Sequence, residues 1–93
     1  MEKPIRYIDK DFDPKEMACY VQLEHAQQIK KWGIQDRTPF EWLAYTLEEL
    51  GELSEAISEM YYRNGSKDDV FREALQVATL SLKIAHMSRE NEV

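Results

Sequence analysis

Two segments of this chain begin with the same local grammar, and that grammar limits what it can fold into. "DFDPKEMACYVQLEHAQQIKKWG" has Asp13 placed to cap a helix, Pro14 at the first helical position, and Glu16 three residues after the cap. "TPFEW" repeats the scheme with Thr38, Pro39 and Glu41, a capping box. Gly33 ends the first helix, and "NGS" at 64–66 breaks the second near Arg63. Ser66 and Asp69 form a third start, after which "KDDVFREALQVATLSLKIAHMSRE" continues with helical periodicity towards the C-terminus. No segment shows a strand's period of two, and there is no internal repeat. The expectation is an all-α bundle of three long helices in one domain, 1–93, preceded by an irregular N-terminal arm over 1–12.

Composition agrees. Only three Gly and three Pro interrupt 93 residues that are 43% hydrophobic and 32% charged. The net charge of -6 would repel a nucleic acid, and no Lys/Arg run offsets it. A small phosphorylated ligand stays compatible if a divalent cation bridges the two negative partners. A single cysteine, Cys19, excludes an intrachain disulfide and fits a reducing cytosol. With no apolar run of membrane-spanning length and no apolar core in "MEKPIRYIDK", the expectation is a soluble cytoplasmic protein with no membrane partner.

The third helix is apolar over more than half its circumference, from Val70 and Phe71 through Leu75, Leu80 and Leu82 to Met87. A three-helix monomer covers only a stripe of each helix. The surplus predicts packing against another copy, in a homodimer or homotetramer.

The second helix carries five glutamates in "YTLEELGELSEAISEMYY". Leu43, Leu47, Leu50, Leu53, Ser54, Ile57 and Tyr61 share one broad face, and Glu48, Glu52, Glu55 and Glu59 lie outside it. Most of these are the solvated face expected of a good helix former. Glu49 differs, because it lies in line with Trp42, Leu53, Ala56 and Met60, with Glu52 one turn further on at the polar border. On the third helix Glu73 projects between Val77, Leu80, Ile84 and Met87. A carboxylate in that position must be protonated, paired or metal-bound. An ion pair with Lys30, Lys31 or Arg72 would satisfy it, as would a hydrogen bond from His25, Trp32 or Trp42. Three facing carboxylates, Glu49, Glu52 and Glu73, favour a hard cation instead, Mg²⁺ first, with Mn²⁺ as a substitute.

"EELGELSEAI", followed about twenty residues later by "REALQVA", resembles the paired motif of the MazG-like all-α nucleoside triphosphate pyrophosphohydrolases. "QIKKWGIQDRTPFEWLAYTLEELGE" is similar to small phage- or prophage-type members of that family, and the likeness spans roughly residues 20–87. In the family a helix with E-x-x-E faces one with E-x-x-D, and the four side chains bind Mg²⁺. The metal positions a nucleoside triphosphate for attack by water between its α- and β-phosphates. The resemblance implies that Glu49, Glu52 and Glu73 are metal ligands and catalytic residues. Gln76 stands where the family has Asp, which leaves three charges in place of four. The implied activity is cleavage of a (d)NTP to the monophosphate and pyrophosphate. The alternative is a non-catalytic nucleotide-binding or helical interaction module that kept the scaffold and lost activity with Gln76.

Glu52 or Glu48 is a candidate to take the proton of the attacking water. Trp32 and Trp42 are candidates for stacking on a base, with Trp42 the more expected in the core. Gln28 and His25 lie one and two turns before Trp32, and His25, in line with Val21 and Ile29, fits a core or interface position equally. Lys83, two turns after Gln76 on the same side, suits either a phosphate contact or a solvent-exposed position.

Overall fold

The computed structural model describes Arg6 and residues 9–90. A single 3-10 turn at Asp9–Asp11 lies inside the arm expected to be irregular, and the Phe12 N–H donates to the Asp9 carbonyl. Three helices follow: α1 (Pro14–Trp32), α2 (Pro39–Tyr62) and α3 (Lys67–Glu90), with no strand among the described residues. The fold is all-α, a three-helix bundle.

The three expected starts are all present. Asp13 accepts from the backbone N–H groups of Lys15 and Glu16, at 3.0 and 3.3 Å. Thr38 and Glu41 close a full capping box, with the Glu41 N–H on the Thr38 hydroxyl and the Thr38 N–H on the Glu41 carboxylate. That backbone hydrogen bond holds the Glu41 carboxyl below the usual carboxylate range. The Asp69 N–H donates to the Ser66 hydroxyl at 3.1 Å. Gly33, at φ 75, takes the backbone past the end of α1 in a region that favours glycine. Asn64, at φ 61, makes the corresponding turn after α2, and the Arg63 and Gly65 N–H groups both reach the Glu59 carbonyl.

The short connection after α2 makes α2 and α3 an antiparallel hairpin, the main packed unit of the chain. α1 lies against α3 and makes no close backbone approach to α2. The bundle is therefore open along one side. Its radius of gyration is 15.0 Å, against about 12 Å for a compact chain of this length.

Leu80, Thr79, Trp42 and Thr46 are buried at the hairpin interface, and the Thr46 hydroxyl donates to the Trp42 carbonyl at 2.8 Å. The line packed on α3 is thus Trp42, Thr46, Glu49, Leu53, Ala56 and Met60. The broader apolar face of α2 is left outside: Leu43, Leu47, Leu50 and Ile57 are all exposed, Leu47 at 57%. One neighbouring helix covers one stripe, and α2 carries more apolar surface than a stripe. The surplus expected on α3 is exposed as well, at Phe71, Ala74, Leu82 and Ala85.

Candidate metal site and adjoining cavity

Helical spacing places Glu49 and Glu52 one turn apart on the side of α2 that turns towards α3, where Glu73 stands opposite. One carboxylate oxygen from each of the three lies within 4.8 Å of the others. Glu49 and Glu73 are half-buried, Glu52 is exposed, and the Oε2 atoms of Glu49 and Glu73 are buried with no hydrogen-bond partner. Burial above all, then the Glu73 and Glu52 carboxylates beside it, pushes the Glu49 pKa up to about 8.

None of the partners that could have satisfied Glu73 structurally is in place among the described residues. Arg72, its neighbour in sequence, pairs with Asp69 on the outer surface, and Lys30 and Lys31 form no ion pair with it. No hydrogen bond from His25, Trp32 or Trp42 reaches it. Like charges brought this close without a counter-charge are unfavourable, and orphaned carboxylate oxygens are the donor set a hard divalent cation requires. The residues present fit Mg²⁺ or Mn²⁺.

Next to the cluster, the gap between α1 and α2 is a cavity of about 740 Å³, a size suited to a small-molecule ligand. Its floor is α3, through Gln76, Leu80 and Lys83; His25, Gln28, Ile29 and Trp32 form one wall, and Trp42, Tyr45, Glu48 and Glu49 the other. Glu49 therefore belongs to both the cavity and the carboxylate cluster. Gln76 also borders a second groove, shared with Glu73, along the α1–α3 contact.

All four residues expected at a ligand, His25, Gln28, Trp32 and Lys83, face this one cavity. His25 is exposed along the wall, which excludes the core position that its alignment with Val21 and Ile29 allowed. Trp32 is 52% exposed, with the Lys31 ammonium 4.8 Å from its ring centre. Trp42 is buried, as expected, and lines the cavity. Lys83 is half-buried and not in open solvent: its Nζ donates to Gln28 Oε1 at 2.6 Å and lies 5.2 Å from the Trp42 ring centre. Burial lowers its pKa, and Glu24 acts in the opposite sense. Gln28 is 5% exposed, and its Nε2 donates to Glu24 Oε2 at 2.8 Å. Its amide is thus largely committed within the protein, which makes it a rigid part of the wall more than a free reader of a ligand edge.

Two contributors were not anticipated. Tyr45 stacks edge-on to Trp42 at 6.1 Å and carries the Arg37 guanidinium 5.8 Å from its ring centre. Its spacing, one turn before Glu48 and Glu49, was the available signal. Glu24 anchors Gln28 from four residues away, a pair visible in helical spacing. No protein-family profile, curated protein or solved structure matches the chain.

Proposed function

We propose that this chain is a Mg²⁺-dependent nucleotide pyrophosphohydrolase that cleaves a (d)NTP to the monophosphate and pyrophosphate. The observation carrying this reading is the convergence of Glu49, Glu52 and Glu73 within 4.8 Å, with no Lys or Arg paired to them among the described residues and with Glu49 on the wall of a cavity of ligand size. Glu49, Glu52 and Glu73 would hold the cation, with the Gln76 side-chain carbonyl as a neutral fourth oxygen. Bound there, Mg²⁺ or Mn²⁺ neutralises phosphate charge that three carboxylates would otherwise repel.

The chain's own groups supply the rest. Lys83, at the floor, meets a phosphate oxygen. Trp32, the more exposed of the two indoles, offers its face to a base, with His25 beside it. Glu48 and Glu52 flank Glu49, and one of them takes the proton as a water oxygen bonds to the α-phosphorus. The bond from that phosphorus to the bridging oxygen breaks, and pyrophosphate leaves with the electron pair.

Gln76 favours a second reading, a nucleotide-binding module without hydrolysis, because one ligand charge is missing. One experiment separates the two: pyrophosphate release from a panel of nucleoside triphosphates with Mg²⁺ or Mn²⁺, beside a Glu49→Gln control, with nucleotide binding measured in parallel. Metal-dependent release that is lost in the control is the expected result. Metal-dependent binding without release would select the second reading. Neither binding nor release would overturn both.

A further inference from the structure

Two indoles and a phenol line the cavity, Trp32 from α1 and Trp42 and Tyr45 from α2. Each ring carries a cation over one face. Lys31 lies 4.8 Å from the Trp32 ring centre, Arg37 5.8 Å from that of Tyr45, and Lys83 5.2 Å from that of Trp42. The rings differ in which side the cation occupies. Lys83 itself lines the cavity, so it covers Trp42 from within, and that ring is 8% exposed. Lys31 borders the groove on the other flank of α1 and not the cavity. Arg37 does not line the cavity either, and reaches Glu41 at 3.6 Å on the outer surface. Trp32 and Tyr45 therefore have their cations behind them and turn the opposite face to the gap, at 52% and 36% exposure.

These two rings stand on opposite walls, and their helices make no close backbone approach to each other. The face of an aromatic ring is the negative end of its quadrupole, so a cation on one side draws electron density away from the other. The inner faces of Trp32 and Tyr45 thus favour a planar, electron-rich ring. A cationic ligand, which two bare aromatic rings would cage, is repelled by Lys31, Arg37 and the Lys83 ammonium. Lys31 keeps its full charge, since it forms no ion pair among the described residues.

We infer that Trp32 and Tyr45 clamp a purine base between them, with Lys31 and Arg37 as positioning residues that hold and polarise the two rings. The inference rests on the nucleotide reading above and adds to it the second plate of the base site and the class of base. Stacking accepts any base, so selection follows stacking strength, and two fused electron-rich rings cover more of both plates than one. A cavity of about 740 Å³ has room for the larger base. Trp42 is outside the clamp, because Lys83 occupies its inner face.

The test uses the full chain with Mg²⁺ and the α,β-methylene analogues of ATP, GTP, CTP and UTP, whose bridge water does not cleave. Inorganic tripolyphosphate is the probe without a base, and affinities are read by calorimetry. The purine analogues are expected to bind about tenfold more tightly than the pyrimidine ones. Tyr45→Ala and Trp32→Ala are each expected to weaken purine binding by about tenfold, the size of one lost base stack. Tripolyphosphate affinity is expected to stay the same in both, which also shows that the variants are folded. Tyr45→Phe keeps the ring and is expected to keep purine binding. Lys31→Met removes the charge behind Trp32 and is expected to narrow the purine-over-pyrimidine ratio at constant tripolyphosphate affinity.

Equal affinity for purine and pyrimidine analogues would overturn the selection, and full purine affinity in Tyr45→Ala would overturn the clamp. An unchanged ratio in Lys31→Met would remove Lys31 from its positioning role. With Mg²⁺-dependent tripolyphosphate binding intact, each of these results leaves the metal reading standing. Absence of binding for every ligand, tripolyphosphate included, would overturn that reading and the clamp with it.

Discussion

Lys83 of α3 donates to the Gln28 amide oxygen of α1 at 2.6 Å, a hydrogen bond between residues 55 apart in sequence. Glu24 takes up the amide nitrogen from the other end, so Glu24, Gln28 and Lys83 form a polar chain beneath the Trp42 ring. α1 does not approach α2, which makes this chain a principal tie between α1 and the hairpin.

Substituting Lys83→Met leaves the buried Gln28 oxygen without its donor. Such a loss costs about 1–3 kcal/mol, and each kcal/mol lowers the Tm of a domain this size by about 4–8 °C. A thermal melt is expected to show that drop without any ligand present. An unchanged melt would mean that the tie is not closed in solution.

Glu49 sets a pH dependence whose sign follows from its shift. Its pKa is about 8 in the folded chain against 4.5 as the ordinary value. Below about pH 4.5 both states hold the proton. Between 4.5 and 8 the folded state binds more proton than the unfolded one, so this contribution to stability is lost as pH rises and levels off above 8. For one proton the slope does not exceed about 1.4 kcal/mol per pH unit. Denaturant melts in EDTA from pH 5 to 9 are expected to show this decline. Saturating Mg²⁺ is expected to flatten it, since a cation keeps the carboxylate charged; a decline equally steep with Mg²⁺ would count against cation binding at Glu49.

Gln76→Asp adds a fourth negative oxygen beside the cluster. Mn²⁺ affinity by calorimetry is expected to rise by about tenfold, roughly 1.4 kcal/mol, while the metal-free protein melts lower at pH 8. Weaker metal binding in the variant would remove Gln76 from the ligand set.

Gly65 has no room for a side chain. A Cβ there would lie 2.8 Å from the Glu59 carbonyl carbon and 2.9 Å from the Met60 nitrogen, both backbone atoms. Gly65→Ala must shift the turn between α2 and α3 and is expected to cost about 1–3 kcal/mol. Urea unfolding with an unchanged midpoint would contradict this.

Much of this architecture was legible in the sequence because it is local. The caps at Asp13, Thr38 and Ser66 depend on residues within three positions of one another, and all three form. Glu49 and Glu73 stood out because each interrupts an apolar line, a feature the helical period exposes directly. Which side of α2 turns inward was not legible. Two apolar lines share that helix, and only the position of α3 decides between Trp42–Thr46–Leu53 and Leu43–Leu47–Leu50. Lys83 was equally ambiguous, since its partners Gln28 and Trp42 belong to other helices. The opening between α1 and α2 depends on long-range packing and left no mark in the periodicity.

That opening also divides the labour of the molecule. Every carboxylate of the cluster comes from the hairpin, whereas His25, Gln28 and Trp32 belong to α1, which forms the opposite wall. Substitutions along α1 can reshape what the cavity accepts without moving Glu49, Glu52 or Glu73 relative to one another. The acidic cluster is in this sense a fixed anvil and α1 an exchangeable jaw. Descendants of such a chain could diverge in what they grip while inheriting one unaltered carboxylate cluster.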